Sequence, residues 1–134
     1  MDNSGTTGSR PDWAALKSIV LIGNHLPRQC GIATFTTHLL ESIALNAREK
    51  TCWAVAMNDR PEGYAYPSQV SFEINQSQIN EYSLAADLCN MNQVDVVCLQ
   101  HEYGIFGGKR GSFIIELLRD LKMPVVTTLH TILK

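Results

Sequence analysis

The chain has 134 residues, room for one domain. Hydrophobic residues make up 45% and charged residues 18%, so most of the chain can bury a core rather than stay disordered. Eleven Lys and Arg against thirteen Asp and Glu give a net charge of -2, which lacks the basic footprint of a nucleic-acid binder. The apolar runs are short, far below the ~18 residues of a membrane helix. The start, Met1-Asp2-Asn3-Ser4-Gly5, has neither the basic nor the apolar part of an export signal. A soluble, cytoplasmic protein is expected.

Residues 1–16 read as a disordered tail, because Met1 to Asp12 are rich in Ser, Thr and Gly and close on Arg10-Pro11. The folded domain is expected over 17–134. Ser18 to Ile22 is a continuous, largely β-branched run ended by Gly23, the pattern of a strand buried on both faces. From Gly31 to Asn46, Ile32, Phe35, Leu39 and Ile43 recur at helical spacing. Thr51 to Met57 is a second strand, and Asn58 to Gln69, with Pro61, Gly63 and Pro67, is a loop. Val70 to Ile74 alternates, as a half-exposed edge strand does.

Gln78 to Asn92 returns to the helical period through Ile79, Tyr82, Ala86 and Cys89, and Val94 to Leu99 is a buried strand. Four glycines then fall between Gly104 and Gly111. Ser112 is expected to cap a helix whose apolar face is Phe113, Ile114, Leu117, Leu118 and Leu121. Met123-Pro124 stops it, and Val125 to Leu129 is the last strand. Alternating strands and helices predict an α/β, Rossmann-like three-layer domain with a mostly parallel sheet. Five strands and three helices leave one sheet face under-covered, so the domain is expected to be incomplete at its C-terminus.

Cys30, Cys52, Cys89 and Cys98 have no C-x-x-C spacing and read as reduced structural residues. In an open parallel sheet, ligands bind beyond the carboxyl ends of the strands, where strand order reverses. With the common order 3-2-1-4-5, the first and fourth strands meet there. The loops starting at Gly23, Gln100 and His130 would then share one rim, carrying His25, His101, His130, Arg28, Lys109 and Arg110. His25 reads as a loop residue in solvent. His101 and His130 each end an apolar strand, where a polar group is either paired or functional. The dense glycines suit close approach of backbone N–H groups to an anion. No G-x-G-x-x-G follows the first strand and no P-loop motif occurs. Cys98 and His101 lie three apart on a strand, on opposite faces, and cannot pair as nucleophile and base.

Three stretches carry a family likeness. They are Cys30-Gly31-Ile32-Ala33-Thr34-Phe35-Thr36, the run from Val94 through Gln100-His101-Glu102-Tyr103-Gly104-Ile105-Phe106-Gly107-Gly108, and Met123 to Thr131 ending in Leu129-His130-Thr131. Together they resemble the N-terminal domain of family 4 glycosyltransferases, retaining enzymes of GT-B architecture. The resemblance runs from about Ser18 to the C-terminus and covers the first half of that family's usual chain. It implies one half of a GT-B fold, the acceptor-side domain of an enzyme moving sugar from a nucleotide-diphosphate sugar to a carbohydrate or lipid-linked acceptor. It implies His130 and His101 at the transfer centre, and substrate contacts from Arg28, Gly31, Ile32, Glu102, Gly107 and Gly108. It implies no cofactor and no metal, no nucleic-acid partner, and is compatible with peripheral membrane contact by the full enzyme. Variable loops 58–69 and 101–111 would set acceptor choice. Without a donor domain this chain alone is expected to be inactive. Two other readings stand beside it: a non-catalytic α/β domain that binds a sugar, phosphate or protein partner, and a hydrolase using Cys30.

Overall fold

A computed structural model describes residues 14–132; the expected tail up to residue 13 and the last two residues lie outside them. Strands β1 (Ser18–Gly23), β2 (Thr51–Asn58), β3 (Val70–Asn75), β4 (Val96–His101) and β5 (Val125–Leu129) and helices α1 (Gly31–Asn46), α2 (Ile79–Met91) and α3 (Ile114–Asp120) follow in the order β1-α1-β2-β3-α2-β4-α3-β5. The sheet order is β3-β2-β1-β4-β5 and every pairing is parallel. The reversal of strand order therefore falls between β1 and β4, as the sequence predicts.

Central position explains β1, whose Val20, Leu21 and Ile22 are fully buried between two layers. On one face, Leu40 of α1 packs with Ile19, Leu21 and Ala54. On the other, Tyr82, Ala85, Ala86 and Cys89 of α2 join Ile114 and Leu117 of α3 over Val20, Ile22, Val55 and Val97. Among the described residues a single helix thus covers one face and two cover the other. The under-covered strip is on the α1 side, along β4 and β5. There Val126, in register with Cys98, is 57% exposed.

Polar contacts pin the ends of the strands. The Asp95 carboxylate accepts the N–H groups of Lys17 (2.7 Å) and Ser18 (3.0 Å), which tie the start of β4 to β1 and hold that carboxyl below its usual range. Two expectations need correction. The fourth strand is shifted by two residues, because the Val94 N–H turns back to the Cys89 carbonyl while Gln100 and His101 continue the ladder beside Thr128 and Leu129. Ser112 does not cap α3. A 3₁₀ turn over Lys109–Gly111 precedes the helix, Phe113 holds the cap position, and no side chain caps the first turn.

Candidate functional site at the ends of β1, β4 and β5

Parallel pairing carries three chain segments to one crest: Asn24 after β1, Gln100 and His101 ending β4, and His130 after β5. Side-chain alternation places Gln100 and His130 on the α1 side and His101 on the other. The His130 N–H at Nε2 donates to Gln100 Oε1 at 2.9 Å, and its backbone N–H donates to the His101 carbonyl at 3.0 Å. Phe35, in the second turn of α1, meets the His130 ring edge-on with centroids 4.8 Å apart. Imidazole orientation is thus fixed from β4 and from α1.

Gln100 is buried, and its side-chain N–H₂ finds no acceptor among the described residues; Thr36 Oγ1 and Asn24 Oδ1 are likewise buried and unpaired. Gly23 makes this arrangement fit. A Cβ there would stand 2.9 Å from Gln100 Cβ and 3.2 Å from Thr36 Oγ1. Native proteins leave few buried polar groups unpaired, which makes these three candidates for contact with a polar guest. Sequence reasoning passed over Gln100, Thr36 and Asn24. The signal was present in Gln100, a polar residue closing an otherwise apolar strand.

Beside this crest, Glu102 accepts the Thr131 hydroxyl (2.7 Å) and the Tyr103 N–H (2.8 Å). The Thr131 hydroxyl above all, then the Tyr103 amide and the nearby imidazoles, hold its carboxyl below the usual glutamate value. His101 lies between Tyr103 and Phe106, with Nδ1 buried and unpaired, and lines a cavity of about 450 Å³ with Glu102, Gly108 and Arg110.

The glycines of this stretch have a structural task. Gly104, Gly108 and Gly111 adopt positive φ, as does Arg110 between them. A Cβ on Gly107 would come within 1.9 Å of the Gln76 carbonyl oxygen, and the Gly107 N–H donates to the Tyr82 hydroxyl at 2.9 Å. Its donor is therefore engaged within the fold.

Around α1, Cys30 Sγ caps the helix by accepting the Ala33 N–H at 3.3 Å. Gly31 at the first helical position is exposed and Ile32 is half-buried. Arg28 points toward β2, where it donates to the Met57 carbonyl (3.0 Å) and sits 3.9 Å from Asp59. The expected rim of three histidines is divided. His25 is buried rather than solvated, with its ring against Tyr66, because the loop folds back on α1 through the Leu26 N–H bond to Thr37 Oγ1. Among the described residues no three His, Cys, Asp or Glu side chains gather as metal ligands, and no helix is long and apolar enough to cross a membrane.

Compared with known proteins, the chain matches no family model, no curated protein and no solved structure.

Proposed function

We propose that this chain is the acceptor-side half of a retaining, GT-B glycosyltransferase. The observation that carries the reading is His130, oriented by Gln100 and Phe35 beside the first turns of α1. In such a transfer the bond from sugar C1 to the diphosphate breaks, and a bond from an acceptor hydroxyl forms on the same face. The hydroxyl proton leaves with the diphosphate. An oriented imidazole suits hydrogen bonding to a sugar hydroxyl at the reacting centre. The free N–H groups at the start of a helix favour the charge that grows on the leaving diphosphate. Gly31 and Ile32 occupy that start here.

Glu102 and the unpaired donor of Gln100 offer further contacts to hydroxyl groups of an acceptor or donor sugar. Arg28 favours the second reading, a domain that binds a sugar without transferring it, because its guanidinium is engaged by Met57 and Asp59 rather than free for phosphate. Transfer of radiolabelled sugar by the natural gene product carrying this sequence separates the two. The transferase reading expects label on an acceptor, and loss of most turnover in His130→Ala at matched folding. Full turnover in that variant, or no transfer from any nucleotide sugar, removes it.

A further inference from the structure

On the flank of α1 turned away from Phe35, a groove of about 730 Å³ lies between this helix and the loop that joins β2 to β3. Its volume is that of a small-molecule site. Leu40, Ala44 and Leu45 form one wall, and Ala65 and Pro67 the other. The loop wall is fixed in place. Tyr66 donates its hydroxyl to Asn58 Oδ1 at 2.5 Å, and Asn58 donates to Glu73 at 2.9 Å. These bonds occupy Tyr66 and Asn58, and Gln69, also on this wall, is exposed.

Of the groove's buried polar side chains, one keeps an atom without a partner among the described residues. His25 lines the groove and is only 2% exposed. Its Nδ1 lies 2.6 Å from the Leu26 carbonyl oxygen. A carbonyl only accepts, so Nδ1 carries the proton, and a neutral imidazole then presents Nε2 as an acceptor. Nε2 has no partner among the described residues, nor is it among the fully enclosed unpaired atoms. A buried ring held in one tautomer thus keeps its acceptor for something outside the protein. Glu41 and Arg48, both exposed, carry opposite charges along the rim, so no net field selects an ion.

We propose that this groove is a second ligand site, distinct from the strand-end crest, for a neutral and mostly apolar molecule whose hydroxyl donates to His25 Nε2. The walls bury the apolar body, and the buried imidazole acceptor selects a donor, while Glu41 and Gln69 stay at the exposed rim. This assignment does not depend on sugar transfer.

The test titrates the isotope-labelled chain with 1-octanol and, separately, with its methyl ether, which has the same apolar body and no donor. Octanol is expected to move the Ala44 and Ala65 amides saturably, and the ether to bind roughly tenfold more weakly, the worth of one hydrogen bond to a buried acceptor. Side-chain nitrogen spectra of the free protein are expected to show the His25 proton on Nδ1. His25→Phe, which keeps a planar ring and carries no acceptor, should bind alcohol and ether alike. Ala44→Trp changes an exposed residue on the helix wall and should abolish both, which keeps the test decisive if the His25 variant does not fold. Equal binding of alcohol and ether by the unmodified protein, shifts confined to other regions, a proton on Nε2, or unaltered octanol binding by Ala44→Trp would each overturn the proposal.

Discussion

Tyr82 couples the helical layer to the glycine-rich turn that carries His101 and Glu102, and removing its hydroxyl measures that coupling. The ring is fully buried against Phe113. Its oxygen donates to the Gln76 carbonyl at 2.9 Å and accepts the Gly107 N–H at 2.9 Å. Burial, more than any other influence, raises this phenol above its ordinary pKa, so it stays a neutral donor throughout the working range. Tyr82→Phe keeps the ring and deletes only the oxygen. Two backbone groups then lose their partner at a half-buried position where the Gly107 Cα lies against the Gln76 backbone.

Each orphaned group costs ~1 kcal/mol or slightly more, so the variant should lose about 2 kcal/mol. For a domain of this size that lowers Tm by roughly 7 °C. Urea denaturation followed by tryptophan fluorescence gives the first number and calorimetry the second, both at pH 7. A loss under about 0.5 kcal/mol would refute the reasoning, since it would mean that the turn is not held through this oxygen. Amide shifts add a local check. They should change most at Gly107 and its neighbours and leave the β2–β3 loop unmoved.

Further outcomes follow from the same contacts. Gly23→Ala forces a methyl group against Gln100 and Thr36 and should cost about 1–3 kcal/mol; a neutral result in urea denaturation would show that the crest yields freely. Glu102, whose folded pKa is depressed, contributes stability that is present above its unfolded value and lost as pH falls through the lower folded one. The Tyr103 amide shift should therefore titrate with a midpoint below that of an ordinary glutamate; a midpoint at or above that value contradicts the Thr131 and Tyr103 hydrogen bonds. Burial pushes the Cys52 and Cys89 thiols up to about 11, so iodoacetamide at pH 7.5 should label neither in the folded protein and both in urea. Rapid labelling of Cys89 in the native state would place that side chain outside the core.

Much of the fold was legible because burial and periodicity agree. The unbroken apolar run at Ser18–Ile22 is the mark of a central parallel strand, and it became the most buried strand of the sheet. The alternation at Val70–Ile74 marked an edge, and β3 is an edge. Periodicity failed where turn geometry decides. The four glycines from Gly104 to Gly111 looked like an anion cradle, yet Gly107 is small because the Gln76 carbonyl passes beside it, a contact 31 residues away in sequence.

The crest was legible by halves. Topology alone brought His101 and His130 to neighbouring strand ends. It could not show that Gln100 would orient His130, because that needs the β4–β5 register, and the strand β4 itself was expected two residues early. Nor could it separate His25 from the other histidines. Its burial depends on the return of the loop over α1, which is a matter of Thr37 and the Leu26 backbone rather than of pattern.

The most direct test of the account is a titration of the isotope-labelled natural gene product that carries this sequence with uridine, guanosine and adenosine diphosphates and their sugars, read at backbone amides and imidazole nitrogens. A donor and acceptor cleft at the strand ends predicts saturable shifts at Gly31, Ile32, Gln100 and the His130 ring with at least one of these ligands. Spectra in which none of those four positions responds, while the protein remains folded, would contradict it.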